Sequence, residues 1–190
     1  MITEKTIFKG KKLEGYPRLK HTAKRIADYI PKCSIYCEPF AGLGEVARYV
    51  TAETKILNDK SEYAYQYLRK EFPRDVIRDL DFKHCMDAYD TPETFFLIDP
   101  PWYNDIYSKN DKPFYDRTAL QYYEDIFNIL EHIKGDWILC ADKWEHDVRR
   151  ICTKSKYDNL ILKTDVSLLH GKIGVLLTSN KPFTKGNVND

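Results

Sequence analysis

The chain is predicted to fold as α/β: a doubly wound, Rossmann-like, mostly parallel sheet with an antiparallel edge hairpin. Three observations predict it. Strand-like and helix-like segments alternate five times before residue 153, as a parallel sheet with crossover helices requires. Acids close the apolar runs that end at Cys37, Leu57 and Ile98, and this is the edge at which open α/β sheets take their ligands. Two β-rich stretches, 159–169 and 173–179, then flank the turn His170-Gly171-Lys172 and read as a hairpin.

The elements follow in order. Leu19, Ala23, Ile26, Ala27 and Ile30 recur at helical spacing over 18–30, and Pro31 stops that helix. Ser34–Cys37 is short and β-prone and ends at Glu38-Pro39-Phe40. The turn Ala41-Gly42-Leu43-Gly44 is expected to open a helix through Val46, Ala47 and Val50. Lys55–Leu57 is a second strand, closed by Asn58-Asp59. Residues 61–71 and 73–80 read as helical, and Phe82–Met86 as a third strand. Thr94–Ile98 is apolar at nearly every position and reads as a fully buried fourth strand. A helical stripe of Leu120, Tyr123, Ile126, Phe127 and Leu130 covers 119–133, Trp137–Cys140 is a fifth strand, and 144–152 a helix.

At 190 residues, with a hydrophobic share of 43% and a charged share of 31%, residues 1–180 make one domain with a real core, and 181–190 a loose tail. No apolar run reaches the roughly 20 residues that span a membrane, and Met1–Lys5 lacks the apolar core of a secretion signal, so the expectation is cytoplasmic. Five cysteines (Cys33, Cys37, Cys85, Cys140 and Cys152) form no Cys-x-x-Cys pair and read as reduced core residues. The histidines are scattered, and none is assigned to a metal. Net charge is only +1, yet basic residues crowd residues 1–25, and Lys109, Lys112 and Arg117 stand among Tyr103, Tyr107, Phe114 and Tyr115. Basic residues interleaved with aromatics suit a phosphate backbone carrying unstacked bases, and a solvated surface explains them equally well.

Asp99-Pro100-Pro101-Trp102 carries the most chemistry. The acid stands where a buried parallel strand ends, and two prolines hold the chain extended behind it. A carboxylate, free backbone carbonyls and a flat ring suit the grip of a planar exocyclic amine. Such an amine is a poor nucleophile because its lone pair is delocalised. Accepting its two N–H groups holds the nitrogen nearer tetrahedral geometry, which acts mainly in the transition state. Stacking on Trp102 would contribute roughly 1–3 kcal/mol. A plain proline turn is the structural alternative.

The turn Glu38-Pro39-Phe40-Ala41-Gly42-Leu43-Gly44 lies where nucleotide-type ligands cross the strand ends. The third glycine of the dinucleotide fingerprint is missing, and an acid beside the turn suits an ammonium or sulfonium better than a pyrophosphate. That favours S-adenosylmethionine, with Asp59 placed to take ribose hydroxyls.

On these motifs the chain resembles the Dam-type, alpha-ordered (D12-class) DNA N6-adenine methyltransferases. The match runs from Tyr16-Pro17-Arg18-Leu19-Lys20 through Glu38–Gly44, Leu57-Asn58-Asp59 and Asp99–Trp102 to Leu176–Asn180. The resemblance implies a class I S-adenosylmethionine-dependent methyltransferase fold. It also implies that Lys20 and Tyr16 hold the cofactor carboxylate, and that Phe40, Ala41 and Gly42 line its methionine half. Asp59 would bind the ribose, and Asp87 with Ala88 would border the cofactor adenine. Asp99, Pro100 and Trp102 would grip the target base, with Pro101, Tyr103, Lys109 and Lys112 along the substrate. The chain departs from the family in three places. Pro17-Arg18-Leu19-Lys20 replaces the usual Gly-Gly-Lys, and Trp102 stands where the family mostly has Tyr. About 40 residues separate Asp59 from Asp99, enough for the fold alone, so the target-recognition domain that many Dam-type enzymes insert there is absent.

The leading expectation is therefore methyl transfer to adenine N6 in nucleic acid, DNA first and RNA as the alternative, without a metal. A partner subunit that supplies target recognition is a further expectation. The competing readings are a non-catalytic nucleic-acid-binding partner with this fold, and a small-molecule or protein amine methyltransferase.

Overall fold

Thr94–Ile98 is buried at all five positions, which a strand achieves when it is paired on both edges and covered on both faces. In the computed structural model, which describes residues 20–101, 119–142, 163–170 and 173–179, this strand lies at the centre of a seven-stranded sheet. The described elements in chain order are α1 Lys20–Ala27, β1 Cys33–Glu38, β2 Ala52–Asn58, α2 Glu62–Glu71, β3 Val76–Arg78 and α3 Phe82–Ala88. They continue with β4 Thr94–Ile98, α4 Ala119–Leu130, β5 Asp136–Asp142, β6 Lys163–His170 and β7 Ile173–Ser179. The strand order is β3-β2-β1-β4-β5-β7-β6. Pairings among the first five strands are all parallel, and β7 runs antiparallel to both β5 and β6. The predicted architecture holds, with the hairpin docked through its second strand.

Alternate residues of each strand enter opposite layers. Tyr36, Leu57, Phe95, Leu97 and Ile138 pack against α1 and α2. Cys37, Ile56, Phe96, Ile98 and Leu139 pack against α3 and α4. Each fully buried Leu, Ile or Phe contributes about 1.5–3 kcal/mol, so the β-strands with no exposed face hold the two layers together. Cys37 and Cys85 bring their sulfurs to 3.8 Å within this core, and all four described cysteines are free thiols. Burial pushes the Cys37 thiol well up, as does the neighbouring Cys85.

Three expected elements differ. Residues 73–80 hold strand β3, and Phe82–Met86 lies in helix α3. Helix α2 stops at Phe72, next to Pro73, which cannot continue it. The carboxylate of Asp81 then accepts the Lys83 N–H at 3.1 Å and caps α3. The segment after the glycine turn forms turns, with Tyr49 N–H bonded to the Val46 carbonyl at 2.9 Å. Its length explains this. A helix over Glu45–Val50 would rise about 9 Å, whereas the return past β1 spans about 20 Å. Helix α1 is described from Lys20 and tightens at its end, where Ile30 N–H bonds to the Ala27 carbonyl at 3.0 Å. The expected helix at 144–152 and the tail lie outside the described residues.

The amino end of β5 is anchored by Asp90, whose Oδ1 accepts from Lys134 N–H at 2.8 Å and Gly135 N–H at 3.2 Å. A Cβ on Gly135 would come within 2.5 Å of the Thr94 carbonyl oxygen, a backbone atom of the central strand. Gly135→Ala should therefore lower stability by about 2–3 kcal/mol, read as a reduced urea midpoint. An unchanged midpoint would show that β4 and β5 can part without cost.

Candidate active site

The sheet order reverses between β1 and β4, because the chain winds from β1 to β2 on one side and later to β4 on the other. The carboxyl ends of these two strands therefore frame a crevice. Glu38 closes β1 and is 3% exposed, which places a carboxylate inside the protein. Counting on from the pair Cys37–Phe96 brings Asp99 level with Phe40. Asp99 is half-buried and Pro100 buried, and because β1 and β4 are paired neighbours the proline loop and the glycine turn leave the sheet side by side at its carboxyl edge.

The turn itself uses two left-handed glycines, Gly42 at φ 54° and Gly44 at φ 67°. Gly44 also lies against α2: a Cβ there would meet the Phe72 ring at 2.7 Å. Phe40 leaves the turn on the other side and joins an aromatic cluster, 4.8 Å from Phe82 and 5.9 Å, edge-on, from Tyr122.

Asp59 follows β2 and holds the turn directly. Its Oδ2 accepts the Gly42 N–H at 2.8 Å and its Oδ1 accepts the Ser61 N–H at 2.9 Å. Burial raises the Asp59 pKa, and these two amides pull it back down. Each carboxylate oxygen keeps a lone pair for a further donor. Asn58, buried beside it, ties the neighbouring loops. Its Nδ2 donates to the Pro39 carbonyl at 2.9 Å and the Leu80 carbonyl at 3.0 Å, and its Oδ1 accepts the Leu80 N–H at 2.9 Å.

The structure thus gathers Glu38, Phe40, Ala41, Gly42, Asp59, Asp99, Pro100 and Pro101 at one edge of the sheet. Lys20 opens α1, whose far end leads into the amino end of β1, so the helix starts toward this same edge. Asp87 is not brought here. It sits in the last turn of α3 and lines a groove with His84, Asp90 and His132, at the end of the sheet where β4 and β5 begin. The misplaced third strand accounts for that assignment: the loop that follows the real β3 is Asp79-Leu80-Asp81. Tyr16, Trp102, Tyr103, Lys109 and Lys112 lie outside the described residues. Sequence reasoning missed the amide of Asn58, although an Asn between an apolar strand and an acid was its visible signal.

The family model for D12 class N6 adenine-specific DNA methyltransferases matches residues 20–136, more than half of the chain. The chain belongs to this family. No curated protein sequence matches it significantly. Among solved structures it is similar to the 23S rRNA methyltransferase ErmE, with a TM-score of 0.57 and 12% identity over 86% of this chain and 68% of that one. An rRNA methylase from Streptococcus thermophilus gives a TM-score of 0.55 and 12% identity over 86% and 95%. Magnesium protoporphyrin IX methyltransferase from Synechocystis, solved with bound SAM, gives 0.56 and 9% over 84% and 77%. At these identities the likeness is one of fold, that of the class I methyltransferases.

Membership in the D12 class makes the chain a methyltransferase with S-adenosylmethionine as its cofactor. The residues present fit that group. The turn Glu38–Gly44 carries no basic side chain to meet a pyrophosphate, while a buried carboxylate beside it suits an ammonium and Asp59 suits a diol. Among the described residues, no group of three or more His, Cys, Asp or Glu could hold a metal ion, and no helix is long and apolar enough to cross a membrane.

The raised pKa of Asp59 has a signed consequence for this D12 protein. A carboxyl whose folded pKa lies above its unfolded value binds more protons folded than unfolded in the interval between. Its contribution to stability is full below the ordinary value of 3.8 and is lost as pH rises through the folded pKa. Asp75 is raised by burial too and adds to the same trend. Asp59→Asn should therefore flatten the fall of the denaturation midpoint as pH rises from the ordinary value of 3.8 through the folded pKa. An identical slope in the variant would show that Asp59 titrates normally.

Proposed function

We propose that this methyltransferase acts on the exocyclic N6 of adenine in DNA. The observation that supports the reading is that the proline loop Asp99-Pro100-Pro101 and the Glu38–Gly44 turn follow the two neighbouring parallel strands β4 and β1 at the switch point, in a chain of the D12 family. Bound S-adenosylmethionine would supply a methyl group on a sulfonium, its S–CH3 bond breaking as the N–CH3 bond forms and the neutral thioether S-adenosylhomocysteine leaving. The work of the chain is positional. Glu38 takes the cofactor ammonium, the backbone at Ala41 and Gly42 lies along its methionine half, and Asp59 accepts the ribose hydroxyls. Lys20 and Tyr16 serve the cofactor carboxylate.

On the substrate side the Asp99 carboxylate and the Pro100 carbonyl each accept one N–H of the adenine amine. The nitrogen lone pair is then turned out of conjugation and aimed into the crevice. Trp102 supplies the stacking face, and Pro101, Tyr103, Lys109 and Lys112 attend the strand. Once nitrogen is alkylated its extra proton is acidic and leaves through Asp99 to water. No tuned general base is needed, since orientation can supply several kcal/mol of the barrier reduction. In a duplex the base must leave the stack, at a few kcal/mol.

One observation favours RNA as the second reading. Everything between Asp59 and Asp99 is taken up by α2, β3, α3, β4 and their short connections, which leaves no inserted module there to read a major groove. Two of the solved structures similar in fold are named as rRNA enzymes. A partner subunit that reads the target would reconcile the same observation with DNA.

Transfer of labelled methyl to duplex DNA, single-stranded DNA and RNA, followed by nucleoside mass spectrometry, tests the reading. N6-methyladenine should form in DNA, and Asp99→Ala should lower kcat by at least about 100-fold while leaving cofactor affinity nearly unchanged. Product in RNA alone would move the substrate to the second reading. A methylated product at any other atom would overturn the assignment of Asp99, and cofactor binding without product would favour the non-catalytic partner.

A further inference from the structure

Asn58 is 1% exposed, yet every hydrogen bond of its side chain reaches the backbone of another loop. Both N–H donors of the amide are used, on Pro39 at 2.9 Å and Leu80 at 3.0 Å, and its oxygen accepts from Leu80 N–H at 2.9 Å. Its own carbonyl accepts the Ala41 N–H at 2.8 Å. Pro39 opens the glycine turn after β1, and Leu80 stands in the loop after β3. The Ala41 bond ties the glycine turn to the end of β2, and the amide of Asn58 is the cross-piece from that turn to the β3–α3 loop. An Asp in this place would lose the donors, and a Gln would be one methylene too long.

We propose that Asn58 is a positioning residue that sets the distance between the two halves of the cofactor cleft. This rests on the reading that the glycine turn serves the methionine half and the edge from Asp59 to the β3–α3 loop serves the adenosine half. A spacer differs from a contact in a measurable way. It touches neither half of the ligand, so each half alone can still find its own site. A ligand that joins the halves needs both sites at one separation and loses the advantage of linkage when that separation drifts.

The test uses the full chain with Asn58→Asp and Asn58→Gln, each checked for a native near-ultraviolet signal at the assay temperature. Affinities are measured for S-adenosylhomocysteine and, by NMR titration, for its two parts, 5′-methylthioadenosine and methionine. Both variants should bind S-adenosylhomocysteine about tenfold more weakly or worse, with each fragment within about threefold of wild type. Fragments weakened as much as the whole would make Asn58 a general structural amide and overturn the proposal. Unchanged binding of the whole, or failure of both variants to fold, would overturn it as well. Wild-type protein that binds none of the three would instead sink the cofactor reading of the cleft, a result separate from any effect of Asn58.

Discussion

The binding edge depends on two adjacent side chains at the end of β2. Loops that leave a parallel sheet carry backbone groups with no ladder partner, and each such group buried without one costs stability. Here Asn58 and Asp59 supply the partners. The amide serves Pro39 and Leu80, and the carboxylate serves Gly42 and Ser61. Three loops from three strands are thereby held in one arrangement without a disulfide or a metal. The two residues divide the task by chemistry. A neutral amide can donate as well as accept, so it can be buried and fully used. A carboxylate only accepts, and burial raises its pKa, so its remaining lone pairs are strong acceptors for any hydroxyl that enters.

Helix α2 transmits this order to the glycine turn. Its N-cap residue, Ser61, gives its N–H to Asp59 and takes the Ala64 N–H on its hydroxyl at 3.5 Å. Eleven residues later, Phe72 lies where a side chain on Gly44 would have to be. Both ends of the helix thus bear on the residues of the glycine turn, one through the Asp59 carboxylate on Gly42 and one through the Phe72 ring against Gly44. The turn needs that external hold because no helix follows it. In longer crossovers a helix N-terminus would stiffen the loop; here the short return to β2 leaves residues 45–49 as turns.

The parts of this arrangement that were legible in the sequence are those whose signals are strong and local. An apolar run ending in Asp-Pro-Pro marks the central strand and its loop. Positive-φ glycines mark the turn, and a β-rich end marks strand β7. The third strand was not legible because three residues, Val76–Arg78, are too few to show a period, while Phe82, Cys85 and Met86 put apolar residues into the five that open α3. That slip carried Asp87 to the wrong end of the sheet. The cap at Asp81 was the signal that would have corrected it. The missing helix after Gly44 follows from strand length, which no window of local sequence contains. The role of Asn58 was not legible because an Asn beside an acid shows a polar strand end but not its partners, which are backbone groups of loops distant in sequence, at Pro39 and Leu80.

On the proposed function, a nucleic-acid substrate would meet a particular charge arrangement at this edge. The groups drawn inward are carboxylates: Glu38 is buried, and Asp59 and Asp99 are half-buried. The cations beside them, Lys60 and Arg78, are exposed. A phosphate brought to the inner carboxylates would be repelled where water no longer screens the charge. An uncharged base with an amine to donate would be welcomed by the same groups. On that reading the edge would sort a nucleotide into its parts, admitting the base and leaving the phosphate outside with the surface cations. That sorting requires the base to be separated from its stack before it arrives, whichever polymer carries it. Single strands meet the condition at least cost, and a duplex meets it only where flipping is compensated by contacts made elsewhere.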